Sequence, residues 1–177
     1  MKPPIFIIGY MASGKTTLGR ALAKTLDRGF IDLDFYIEQR FRTTVSRIFA
    51  TKGEEEFRRV EHEMLREVGE MQDVVIACGG GTPCFHDNMD YMLLRGATIY
   101  LETAESRILE RLLRNRARRP LMAEKKEEEL ASEIHAGLTA RLPYYTRAQI
   151  CHRGEQLESR RQISDTIAAL LAAHPEL

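Results

Sequence analysis

The chain has 177 residues, 44% of them hydrophobic and 29% charged, with 26 Lys plus Arg against 26 Asp plus Glu. That length suits one domain with a substantial core, and 12 glycines and 6 prolines exclude a collagen-like or low-complexity chain. A net charge of +0 argues against a protein that coats nucleic acid or anionic membrane by bulk charge, so function must reside in a local site.

The elements follow in alternation. Ile5–Ile8 is a short apolar run stopped by Gly9, as in a strand buried on both faces. Leu18, Ala21, Leu22 and Leu26 fall at helical spacing, and Phe30–Asp34 reads as a second strand. A helix follows, with Phe57, Val60, Met64 and Val68 on one stripe. Val74–Cys78 is a third strand ending in Gly79-Gly80-Gly81, and Ala97–Leu101 is a fourth. Ile108, Leu109, Leu112 and Leu113 mark a helix; Leu130, Ile134 and Leu138 mark another, ending before Pro143. Gln149–Cys151 is a short fifth strand, and Ile163, Ile167, Leu170 and Leu171 close the chain with a helix. Residues 114–129, rich in Arg and Glu and interrupted by Pro120, break the rhythm and read as a surface lid. The alternation predicts a single three-layer α/β/α domain with a parallel, five-stranded sheet.

The strongest motif is Gly9-Tyr10-Met11-Ala12-Ser13-Gly14-Lys15-Thr16, a full match to G-x-x-x-x-G-K-[ST] between a predicted strand and a predicted helix. Amides of such a loop converge on phosphate oxygens at a helix N-terminus. Lys15 supplies a point charge for the β- and γ-phosphates and Thr16 a hydroxyl for Mg²⁺; Ala12, Ser13, Gly14 and Thr17 complete the nucleotide loop. The motif implies ATP or a related triphosphate and leaves the acceptor open.

Asp32 and Asp34 are two apart on the second predicted strand, which places both carboxylates on one face at its carboxyl end. We assign Asp32 to Mg²⁺, because the third strand ends in glycines where a P-loop protein commonly offers its metal-binding Asp. Asp34 then faces the acceptor, where it takes a hydroxyl hydrogen bond or proton. The three glycines free backbone amides for close approach to a ligand. Arg58 and Glu61 are three apart on a helix, so Glu61 can orient the guanidinium toward a substrate carboxylate; the spacing alone is also that of a surface ion pair. Arg141, before Pro143, is a second anion-binding candidate, and Arg119, before Pro120, can close on the transferring phosphoryl group.

Cys78, Cys84 and Cys151 form no metal-type pair and read as reduced thiols of a cytoplasmic protein. His62, His86, His135, His152 and His174 show no metal spacing. The N-terminal apolar run is too short for a signal peptide core, and no stretch approaches a membrane span. Neither a nucleic-acid nor a membrane partner is expected.

Six segments together resemble the shikimate kinase family of the nucleoside-monophosphate-kinase-like P-loop group. They are G-Y-M-A-S-G-K-T-T at 9–17, F-I-D-L-D at 30–34, G-E-E-E-F-R-R-V-E at 53–61, G-G-G at 79–81, R-P-L at 119–121 and R-L-P-Y-Y at 141–145. The resemblance implies transfer of the ATP γ-phosphoryl group to the 3-hydroxyl of shikimate, giving 3-phosphoshikimate and ADP; a monomer is expected. By resemblance, Asp34, Arg58, Gly80, Gly81 and Arg141 bind shikimate, Lys15 and Arg119 stabilise the moving phosphoryl group, and Thr16 and Asp32 serve Mg²⁺. It further implies a helical shikimate-binding subdomain at about 35–61 and a lid at about 113–125. Ala12 stands where the family commonly has glycine, which should stiffen the loop, and Met122 where leucine is frequent. Arg111, Arg114 and Arg161 are candidates for stacking on adenine. A kinase of gluconate or a nucleotide, and a non-catalytic nucleotide-binding relative, are the alternatives.

Overall fold

The structure is a computed structural model that describes residues 1–114 and 125–177. Five parallel strands, β1 (Ile5–Ile8), β2 (Gly29–Asp32), β3 (Val74–Ala77), β4 (Ala97–Glu102) and β5 (Ile150–Arg153), stand in the order β2-β3-β1-β4-β5. In β1, Ile5 pairs with both Val75 and Ala97, which makes it the central strand. All four of its residues are buried, as a strand covered on both faces requires.

Strand alternation divides the interior into two cores. Phe6 and Ile8 join one cluster with Ile76 and Tyr100, covered by α2 (Leu33–Phe41), α3 (Val45–Gly69), α4 (Asn88–Arg95), α5 (Glu105–Arg114) and α6 (Glu127–Tyr145). Ile5 and Ile7 join the other with Val75, Ile99 and Leu101, covered by α1 (Lys15–Thr25) and α7 (Arg160–Ala173). Helices therefore lie on both faces of the sheet, the three-layer arrangement that alternating elements predict.

Several boundaries differ from the sequence reading. β2 stops at Asp32, whose side chain accepts from the Phe35 amide at 3.3 Å and caps α2. Asp34 thus lies in the first helical turn, so the two aspartates do not share one strand face. Carboxylates are favoured both at an N-cap and near a helix N-terminus. α3 bends at Gly53, which has φ 82 and ψ 173. α6 continues through Pro143 to Tyr145 and does not end before the proline; Pro143 falls in its last turn, and the fully buried Tyr145 anchors that turn to the interior. α4 and a 3-10 turn at Thr82–Cys84 were not anticipated. Of the segment 114–129, Arg114 ends α5 and Glu127–Glu129 begin α6. The rest of the predicted lid, apart from Lys125 and Lys126, lies outside the described residues, and Arg119 with it.

Close packing at the amino ends of the strands sets a steric requirement at Gly96. A Cβ there would lie 1.9 Å from the Pro4 carbonyl oxygen. Gly96→Ala is expected to destabilise the fold by about 1–3 kcal/mol, read as a lowered Tm in thermal denaturation.

Candidate active site

At the carboxyl ends of β1 and β3 a cleft of about 490 Å³ opens between the phosphate loop and the triple glycine. Met11, Lys15, Thr16, Asp34, Gly80 and Arg111 are among its lining residues. This is where ligands enter an open parallel sheet. Gly14 holds φ 106 just before α1, in a conformation that L side chains rarely adopt. Ala12 adopts φ 59, which costs an L residue about 1–2 kcal/mol. The loop backbone is therefore strained at a position where glycine would carry no such cost. Ser13 lies under the loop, with a fully buried Oγ that has no partner among the described residues, while Thr17 lines the cleft.

The Lys15 ammonium donates to the carbonyls of Gly9 and Tyr10, both at 2.8 Å. Desolvation pushes its pKa down to about 8, against the attraction of Asp34. Thr16 Oγ1 donates to Asp32 Oδ2 at 2.7 Å, so the two proposed metal residues are in contact. Burial, reinforced by the nearby Glu61 and Asp32 carboxylates and opposed by Lys15, raises Asp34 to about 6. A group poised there can exchange a proton near neutral pH.

Opposite the loop, two arginines flank the glycines. A Cβ on Gly81 would lie 2.5 Å from Arg58 Nη2, and one on Gly80 would lie 3.1 Å from Arg141 Nη1. Glycine leaves room for both guanidinium groups to lie this close to the backbone. Arg58 Nη1 donates to Glu61 Oε2 at 2.7 Å, and Thr82 Oγ1 donates to Glu61 Oε1 at 2.6 Å. Glu61 is 1% exposed, so the pair is not the surface ion pair that its spacing also allowed. Arg58 also meets the exposed Glu54 at 3.2 Å. Arg141 stands 5.1 Å over the Tyr10 ring, and Tyr145 donates its hydroxyl to the Gly80 carbonyl at 2.5 Å.

The described residues given catalytic, nucleotide, acceptor or metal roles from the sequence lie in this cleft or against the glycines beside it, Ser13 with its side chain buried. Of the three adenine candidates, Arg111 lines the cleft. It donates to the Ser13 carbonyl at 2.8 Å and pairs with Glu158 at 2.9 Å. Arg114 pairs with Glu110, and Arg161 is an exposed residue of α7 paired with Asp165. Sequence reasoning missed Tyr10, Tyr145, Thr82 and Leu157. Tyr10 and Tyr145 stand inside motifs already noted, but their partners are far away in the chain. Leu157 packs beside Gly14 from the loop before α7 and carries no local signal. Among the described residues, no cluster of three or more His, Cys, Asp or Glu could hold a metal ion.

Burial decides which ion pair matters. Glu61→Ala leaves Arg58 with the exposed Glu54 and Thr82 without its acceptor, and is expected to cost about 3 kcal/mol, as loss of one partner of a buried pair does. Glu56→Ala removes a partner of the exposed Arg59 and should leave stability unchanged within error. Urea denaturation of both variants checks the contrast.

Comparison with known proteins agrees with this geometry. The shikimate kinase family model matches residues 11–172. A curated shikimate kinase from Phocaeicola vulgatus is 46% identical over 166 residues, covering 94% of this chain and 95% of the relative. Crystallised shikimate kinase from Bacteroides thetaiotaomicron superposes with a TM-score of 0.95 at 43% identity, covering 99% of both chains. The Acinetobacter baumannii enzyme, solved in complex with shikimate, gives 0.85 at 30% identity, covering 99% of this chain and 95% of that one. With a family match along most of its length and relatives well above 30% identity, the chain belongs to the shikimate kinase family.

Proposed function

We propose that the chain transfers the γ-phosphoryl group of ATP to the 3-hydroxyl of shikimate, giving 3-phosphoshikimate and ADP, with its site residues dividing the work as follows. The observation that carries this reading is the pair of arginines set against Gly80 and Gly81 beside the phosphate loop. A planar carboxylate on the acceptor fits between two such fork-shaped donors. A gluconate or nucleotide kinase would need the phosphate loop but not this pair, and a non-catalytic module would need neither Asp34 nor Arg58.

Amides of Ala12, Ser13 and Gly14, with Thr17, cradle the phosphates. Lys15 turns from its own loop carbonyls to the β- and γ-phosphates, where it balances charge as the phosphoryl group moves. Gly80 and Gly81 let the acceptor ring approach backbone, and Arg58 and Arg141 fix its carboxylate. Asp34 receives the hydrogen bond of the attacking hydroxyl. As the new O–P bond forms and the bond to the β,γ-bridging oxygen breaks, the hydroxyl proton leaves toward Asp34. Most of the acceleration on this account is positioning and charge balance.

The oxygens of Thr16 and Asp32, in contact beside the cleft, fit a hard cation that takes oxygen ligands only. These two residues would hold Mg²⁺ if it binds here. When bound, it supplies charge neutralisation on the phosphates. The family resemblance gives Arg119 the role of closing on the phosphoryl group, residues 35–61 that of a shikimate-binding subdomain, and residues 113–125 that of a lid. The same reading takes the enzyme as a cytoplasmic monomer acting on small molecules, without a nucleic-acid or membrane partner. Balanced charge and the free thiols of Cys78, Cys84 and Cys151 support it, and no helix among the described residues is long and apolar enough to cross a membrane.

A coupled ADP-release assay with Mg·ATP tests the reading directly. Release should depend on shikimate, and Arg58→Ala should raise the KM for shikimate roughly 10- to 100-fold, the range of a lost charge-assisted hydrogen bond, while ATP binding persists. ADP release indifferent to shikimate, with ATP still bound, would move the acceptor elsewhere. Unchanged shikimate kinetics in the variant would remove Arg58 from the site.

A further inference from the structure

We propose that Phe85 is a positioning residue for the acceptor: its ring stacks on Arg58 and fixes the spacing between the two arginines that hold the acceptor carboxylate. The proposal rests on the acceptor assignment above and extends it to a residue outside every motif that identified the site.

Three rings surround the Arg58 guanidinium. Its central carbon lies 5.8 Å from the centroid of Phe49, 5.1 Å from Phe57 and 4.1 Å from Phe85. All fall within cation–π range, and Phe85 is the closest. The three are not equivalent. Phe57 precedes Arg58 on the same helix and moves with it. Phe49 lies on the far side of the bend at Gly53, in the preceding half of α3. Phe85 comes from a different element, the end of the 3-10 turn that follows the triple glycine.

That turn is tied down by hydrogen bonds. The Thr82 amide donates to Gly79 O at 3.1 Å and the Cys84 amide to Gly81 O at 2.9 Å. The buried Asn88 side chain donates to Thr82 O at 2.8 Å, and the Thr82 hydroxyl bonds Glu61. Phe85 leaves the turn in an extended conformation, φ −120 and ψ 151, which brings its ring back over α3. The same segment carries Gly80, whose carbonyl receives the Tyr145 hydroxyl from the helix that bears Arg141. One segment, residues 79–85, therefore touches both arginines. Glu61 and Glu54 hold the polar edge of Arg58, and the Phe85 ring lies against its guanidinium. Together they define the guanidinium plane relative to Arg141, and a carboxylate spanning two guanidinium groups is sensitive to that plane.

A contact that acts on bound acceptor in ground and transition states alike changes KM and spares kcat. Phe85→Leu keeps apolar volume and removes the ring face. It should raise the KM for shikimate about tenfold, the low end of what loss of the Arg58 charge-assisted hydrogen bond itself would cost. kcat, the KM for ATP and Tm should stay near wild type. Phe85→Tyr, which keeps the ring, should restore the shikimate KM. Phe85→Leu with a wild-type shikimate KM would overturn the assignment, as would KM values for both substrates rising together, or a KM that Phe85→Tyr fails to restore. Wild-type enzyme that releases no ADP on shikimate would instead overturn the acceptor reading itself, and the Phe85 assignment would fall with it.

Discussion

The Glu61 carboxylate, buried beneath the cleft, is the contact on which the acceptor side of the site depends. A carboxylate removed from water is costly unless its oxygens find donors. Here one oxygen takes the Arg58 guanidinium and the other the Thr82 hydroxyl. That double acceptance ties α3 to the segment after β3. It also raises the proton affinity of Asp34, for which Glu61 is the largest charge contribution after burial. One buried charge therefore orients the Arg58 guanidinium and tunes Asp34, the groups proposed to meet the acceptor's carboxylate and its hydroxyl.

The nucleotide side follows a different logic, in which backbone matters more than side chains. The loop between β1 and α1 is held from behind by Arg111, whose guanidinium takes the Ser13 carbonyl and pairs with Glu158. With its carbonyls drawn back, the loop is free to present its amides to phosphate. Ala12, in a left-handed conformation, stores modest strain in the same loop, and such strain is commonly found where a ligand-binding backbone is fixed in advance. The two halves meet at Tyr10, whose carbonyl holds Lys15 and whose ring lies under Arg141.

Much of this was legible in the sequence because its signals are local. The phosphate loop, the five strands and the triple glycine announce themselves within windows of a few residues. The Arg58–Glu61 pair is three residues apart, and only its burial needed the fold. What was not legible depends on contacts between distant residues: Thr82 with Glu61, Tyr145 with Gly80, Phe85 with Arg58. The error at Asp34 has another cause. Asp32 caps a helix immediately at the strand end, and the apolar run through Leu33 conceals that switch. α4 was hidden by its eight-residue length and by Leu94, which is 86% exposed and blurs the apolar stripe.

The claim that organises the site is that Arg58, held by Glu61, receives the acceptor carboxylate. A cycle of two substrates and two enzymes tests it most directly: kcat/KM for shikimate and for its methyl ester, each with wild type and Arg58→Ala. If the carboxylate sits on Arg58, the ester should be a much poorer substrate for wild type, and Arg58→Ala should discriminate far less between the two. Equal discrimination by both enzymes would mean that Arg58 and the carboxylate do not meet, and the account of the acceptor site would be wrong.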